Sequence, residues 1–174
     1  LSPLTNNLSY ILACEKLFGI EAEVPVRAQV VRVIMCELSR IGSHLIWLGT
    51  HGMEVGAITI LLYCLQEREL LLNINELIAG FRLFPSYFRI GGLREDLPMG
   101  FHEAVTSFID RFPERIDVFE DLLTNNDVWK RRTQNVGVLT KQQAIESGCV
   151  GPIARATGLP YDVRRTFRNC RLIG

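Results

Sequence analysis

A mainly α fold is predicted, a helical bundle core carrying buried loops and short strands, and three observations lead to it. Over residues 25–59 the apolar side chains Val30, Ile34, Leu38, Ile41, Leu45 and Leu48 recur at steps of four and three, the stripe that one face of a long helix turns toward a core. Residues 57–79 run on without Gly or Pro and meet Gly80, a second long helix with its stop signal, so the two form an antiparallel hairpin. The stretch 81–98, FRLFPSYFRIGGLREDLP, then changes character. Its aromatic residues, Pro85, the pair Gly91 and Gly92 and three arginines indicate an ordered, buried loop or short strand.

With 174 residues, 48% of them hydrophobic and 22% charged, the chain is long enough for one well-buried domain. It reads as a single partial domain over 1–174, because it starts at Leu1 on a half-formed loop and ends after an arginine-rich coil. Nineteen basic residues balance nineteen acidic ones, which excludes the long-range field of a nucleic-acid binder. A mean hydropathy of +0.16 suggests that partner proteins cover some apolar surface. The stretches free of Asp, Glu, Lys and Arg at 41–53 and 55–66 fall short of the roughly 20 apolar residues a spanning helix needs. The N-terminus LSPLTNNLSY has no signal-peptide pattern either.

Taken in order, Asn6 or Asn7 is the expected cap of a first helix with Leu8, Ile11, Leu12 and Leu17 on its apolar face and Gly19 as its stop. Pro25 opens the long helix at a position where its missing N–H costs nothing. A second line on that helix, Arg40, His44, Trp47, His51 and Glu54, keeps the same spacing on another face, and Val31, Val33, Met35, Ile46 and Met53 fill the flanks. The helix therefore reads as buried on most sides, one wall of a polar-lined pocket whose ionisable groups need partners or a ligand. Gly49, Gly52 and Gly56 mark a weakened or broken segment, or a close approach to the backbone, where Thr50, His51 and Glu54 lie.

Beyond the aromatic loop, helix is expected over 101–112 and again after Pro113, where Ile116, Phe119, Leu122 and Leu123 form a stripe ended by Asn125 and Asn126. Lys130, Arg131 and Arg132 read as a solvated helix end. Thr140 caps a small helix stopped by Gly148, and the residues from 151 on read as coil against a neighbour.

The cysteines, at 14, 36, 64, 149 and 170, form no CxxC pair; Cys14, Cys36 and Cys64 read as small buried hydrophobes in a reducing compartment. His51 and Glu54, with His44 one heptad earlier, are too few to hold a metal. There is no GxSxG turn, and Gly91–Gly92 lacks GxGxxG or a Walker lysine. Read on physics alone, these residues name no reaction.

The blocks VPVRAQVVRVIMCELSRIGSHLIWLGTH, GAIT, QERE, SYFRIGGLREDLP, VGVL and GPIARATGLPYDVRR, in that order, resemble the quinone-binding 49-kDa subunit of respiratory complex I. That family is related to the large subunit of nickel–iron hydrogenases, whose nickel-holding cysteine pairs have no counterpart here. The resemblance implies a helical core packed on a partner subunit that carries the terminal iron–sulfur cluster. It also implies a membrane-arm quinone-channel subunit and other peripheral-arm subunits as neighbours. Quinone would be the substrate, NADH would bind elsewhere in the complex, and this chain would bind no cofactor or metal itself. The expected place is the cytoplasmic face of the bacterial inner membrane or the matrix side of the mitochondrial one.

The family's quinone-binding tyrosine and loop histidine would lie upstream of Leu1, so no catalytic residue is assigned within the chain. The pocket positions that match are Thr50, Glu54 and Ile46, with Glu54 standing where the family has an aspartate that pairs with the histidine. Arg82, Phe84 and Arg89 match the loop near the partner's cluster, and Phe84 replaces a histidine that titrates there. These two departures also admit a divergent paralogue in a ferredoxin-linked or hydrogenase-related membrane complex.

Overall fold

The computed structural model describes residues 1–162, which form two compact units, one over 1–131 and one from 132 on. In the first unit α1 (Pro3–Phe18) is followed by a 3-10 turn (Glu21–Glu23) and the long helix α2 (Val26–Glu54), which packs along α3 (Ile58–Ala79). A two-stranded antiparallel hairpin, β1 (Phe88–Arg89) and β2 (Gly92–Leu93), pairs Phe88 with Leu93 and Arg89 with Gly92. Helix α4 (Phe101–Phe119) follows and continues into a π-helical turn over Glu120–Thr124, and α5 (Asp127–Thr133) comes next. The second unit contains α6 (Lys141–Glu146) and α7 (Gly151–Ala156). The expected mainly α architecture with short strands is what is found.

Several elements begin or end elsewhere than expected. Helix α1 starts at Pro3, ahead of Asn6 and Asn7, because proline's fixed φ suits a first helical position; the Asn6 amide donates back to the Ser2 carbonyl. Helix α4 runs through Pro113 unbroken. The ring lies on the exposed side, where water can take the carbonyl it leaves unpaired. In the segment expected to be coil, Pro152 supports α7; the remainder, 163–174, falls outside the described residues. By contrast Gly19 and Gly80 adopt the left-handed conformation that stops α1 and α3, and Thr140 with Gln143 forms a reciprocal capping box on α6.

The core face of α2 shares only Leu38 and Leu45 with the expected stripe. Val30 is 53% exposed, whereas Ala28, Val31, Met35, Leu38, Gly42, Leu45, Gly49 and Gly52 are buried, a heptad-like seam with alternating steps of three and four. Glycine makes the seam work and does not break the helix. A Cβ on Gly49 would lie 3.0 Å from Leu61 Cδ1 and 3.2 Å from Cys64 Cβ, and one on Gly52 would fall well inside contact distance of the Ile60 Cγ2 methyl. Close approach of α3 is thus the reading that holds for these glycines.

Nor is the line Arg40, His44, Trp47, His51 and Glu54 buried: Arg40 is half-buried and paired with Glu37, and the other four are exposed. The loop expected to be buried is divided in the same way, with Tyr87 and Phe88 in the core but Phe81 and Phe84 at the surface. The buried charged groups among the described residues are others, Glu15, Arg32 and Glu67. Arg32 Nη2 donates to Glu15 Oε1 at 2.7 Å and to the carbonyls of Arg89 (2.8 Å) and Gly92 (3.0 Å), and the Gly91 N–H donates to Glu15 Oε1 at 2.8 Å. One ion pair, its side chains 2% and 3% exposed, thereby joins α1, α2 and the β-hairpin. Glu67 on α3 likewise accepts from Arg111 and pairs with Arg115 on α4, tying those helices together.

Two expectations follow. Burial pushes the Glu15 carboxyl up, but the Arg32 guanidinium and the Gly91 N–H outweigh it and hold the group below the ordinary carboxylate range. A depressed folded pKa gives stability that is present above the unfolded value, about 4, and lost as pH falls through the folded one. Arg32→Met, which strands a buried carboxylate, should cost about 3–5 kcal/mol in denaturant unfolding, and adding Glu15→Leu should recover much of it. At the helix seam, Gly52→Ala should lower the midpoint of thermal unfolding by displacing buried Ile60, while Gly42→Ala, whose Cβ would sit 3.4 Å from Leu71 Cδ1, should be tolerated.

Candidate functional site

The last turns of α2 carry one line of side chains at four-residue spacing, Ile46, Thr50 and Glu54. Ile46 is half-buried; Thr50 and Glu54 are exposed. The Thr50 hydroxyl donates to the Ile46 carbonyl at 2.8 Å and to that of Trp47 at 3.2 Å, which settles its rotamer and leaves the oxygen lone pairs turned outward. Glu54 ends the helix, and the chain turns at Gly56, whose φ of 101° only glycine adopts without strain. With its proton so committed, the Thr50 hydroxyl offers lone pairs, and together with a carboxylate one turn on it can accept hydrogen bonds from a single polar group.

This end of α2 contains two glycines that cost about 1 kcal/mol each in helix propensity. Contacts on both flanks offset that cost. On one side α3 packs against Gly49 and Gly52. On the other, the Trp47 ring stacks on His51 with centroids 5.7 Å apart, and Trp129 from α5 meets His51 edge-on at 5.5 Å. Aromatic contacts of this geometry are worth about 1 kcal/mol each. The aromatic trio was not legible in sequence, since Trp129 lies 78 residues from His51 and shares no motif with it.

The second set of expected residues stands at the other end of the helical hairpin. Helix α3 has 22 residues, about 33 Å at 1.5 Å per residue, and separates the turn after Glu54 from the loop that starts at Phe81. Arg82, Phe84 and Arg89 are therefore not brought together with Ile46, Thr50 and Glu54. Arg82 is neutralised: its guanidinium donates to Asn73 Oδ1 at 2.8 Å, to Glu76 Oε2 at 2.6 Å and to the Glu69 carboxylate. Arg89 instead donates to Ser86 Oγ and to the Phe88 carbonyl, and among the described residues no carboxylate pairs with it. Phe84 is 71% exposed.

A shallow depression between α2, α3 and the start of α1, lined by Leu38, Ser39, Gly42, Arg68, Leu71 and Asn75, contains none of these residues. Among the described residues no group of three His, Cys, Asp or Glu side chains is placed to hold a metal ion. Cys36 and Cys64 are buried and free; burial pushes both thiols up to about 11, which suits packing and not nucleophilic chemistry, whereas Cys14 is half-buried. No described helix is long and apolar enough to cross a membrane.

Comparison with known proteins adds a family. A family model described as respiratory-chain NADH dehydrogenase, 49 Kd subunit, matches residues 54–170. The chain is 52% identical over 170 residues to a D-type subunit of the NADH-quinone oxidoreductase of Roseiflexus sp. (strain RS-1), an alignment covering 98% of this chain and 40% of that protein. To a D-type subunit of the same enzyme from Chloroflexus aurantiacus it is 52% identical over 167 residues, covering 96% of this chain and 40% of the relative. To the corresponding subunit from Geotalea uraniireducens it is 47% identical over 165 residues, 95% of this chain and 42% of the relative. The chain thus spans about 40% of the length of these curated relatives.

Proposed function

The chain belongs to the family of the 49-kDa subunit of the respiratory-chain NADH dehydrogenase, and on that premise we propose that it forms part of the quinone-reduction pocket of a proton-pumping NADH:quinone oxidoreductase. The observation that carries this reading is the line Ile46, Thr50 and Glu54: an apolar side chain, an oriented hydroxyl and a carboxylate on one open face at the end of a well-anchored helix. Such a face suits a quinone, whose ring needs apolar contact and whose carbonyl oxygens need hydrogen bonds and protons.

In this reading electrons reach the quinone from the terminal iron–sulfur cluster of a partner subunit. The chain binds neither that cluster nor NADH. Protons pass through a tyrosine and a histidine supplied by the rest of the full-length subunit, and Glu54 pairs with that histidine and holds it in place. Glutamate in place of the family's aspartate moves the carboxylate outward by about one bond length while keeping its charge.

The loop at the far end of α3 would face the cluster-bearing subunit. Its exposed aromatic and aliphatic side chains, Phe81, Leu83, Phe84 and Ile90, favour a protein partner over solvent. Of its three arginines, Arg89 supplies the uncompensated positive charge there, because Arg82 is held by Glu69 and Glu76 and Arg94 pairs with Glu95. Phe84 cannot titrate, so this position contributes no proton coupling to cluster reduction. The membrane-arm quinone-channel subunit would close the pocket, which puts the chain at the membrane surface on the cytoplasmic or matrix side.

In the assembled oxidoreductase, Glu54→Gln should slow quinone reduction by about tenfold or more while NADH still reduces the terminal cluster at the normal rate. Unchanged quinone reductase activity would refute the role given to Glu54.

A further inference from the structure

We infer that His51 and Trp129 are positioning residues for the quinone headgroup, because they brace the α2 turn that carries Thr50 and Glu54. The inference rests on the pocket reading above and adds residues that no part of that reading uses.

The last two turns of α2 have an asymmetric support. Their inner side is gripped by α3, where Leu61, Cys64 and Ile60 fill the space that Gly49 and Gly52 leave. That contact resists movement toward the core but does nothing to keep the exposed side from fraying, and both glycines favour fraying. On the exposed side the helix has its own Trp47–His51 stack, one turn apart and nearly parallel at 11°, and a ring contact from another element, the edge of Trp129 against His51 at 84°.

His51 is thus held from two directions, along the helix by Trp47 and across it by α5. It directly follows Thr50 and lies three residues before Glu54, so fixing His51 fixes the turn that both share. The His51 carbonyl also accepts the Val55 N–H, the hydrogen bond that closes the helix. Without the brace the turn would populate frayed states in which Thr50 and Glu54 do not converge on one point. Apparent affinity for the headgroup would fall by the fraction of time so spent, while the rate from a correctly seated headgroup would stay the same.

The test uses the assembled enzyme with a short-chain quinone, with rates normalised to the terminal cluster that NADH reduces, so that assembly defects cancel. Trp129→Leu and His51→Leu should each raise KM for quinone about three- to tenfold with kcat within about twofold, and the double variant should be no worse than either alone. His51→Phe and Trp129→Phe, which keep the ring contacts, should stay near wild type and hold the test open where a leucine variant fails to assemble. A wild-type KM in the leucine variants, or a phenylalanine variant as impaired as its leucine counterpart, would overturn the brace. If Thr50→Val moves KM and Trp129→Leu does not, the brace alone fails; if neither does, the pocket reading fails and the brace with it.

Discussion

The buried pair of Arg32 and Glu15 is the constraint on which the arrangement of the first unit depends. Taking both charges out of water costs several kcal/mol, and mutual attraction alone does not reliably repay it. The surrounding hydrogen bonds make the difference. Arg32 also donates to the carbonyls of Arg89 and Gly92, and Glu15 accepts from the Gly91 N–H, so a short hairpin that could not stand alone is held by polar groups from two helices. Because the clamp acts on the backbone of the hairpin, it fixes where Arg89 and Ile90 emerge. The surface loop inherits its geometry from an interaction that solvent does not reach.

A similar division governs α2. One edge is given to α3, which comes close to the backbone at Gly42, Gly49 and Gly52, and the opposite edge keeps Trp47, His51 and Glu54 at the surface. Close packing on the inner edge lets the outer one carry polar and aromatic groups without burying a charge. Glu67, held by Arg111 and Arg115, extends the same logic to α4. In each case a buried carboxylate meets at least one arginine from a different helix, which sets register as well as proximity.

Much of this was legible in the sequence, and the differences on α2 share one cause. Gly19, Gly80 and Thr140 announced helix ends because capping is a local matter of backbone geometry. The phase of α2 was not local. Its sequence is apolar on nearly every side, so periodicity could not distinguish a face carrying Val30 from one carrying Val31, and the glycines that mark the true seam look like weak points until the partner helix is seen. The polar line at Arg40, His44, Trp47, His51 and Glu54 stands out on an apolar helix although none of it is buried, whereas Arg32, the charge that is buried, has no local signal to set it apart from them. The resemblance pointed to Ile46, Thr50 and Glu54; the contact between His51 and Trp129 needed the fold.

The proposed function makes α2 a wall whose inner edge is structural and whose outer end meets the substrate. Photolabelling the intact oxidoreductase with an azido-quinone, followed by mapping of the modified peptides, tests that claim most directly. Label on α2 between Ile46 and Glu54, suppressed by excess unlabelled quinone, is the predicted result. Competable label confined to other elements, with none on that segment, would contradict it.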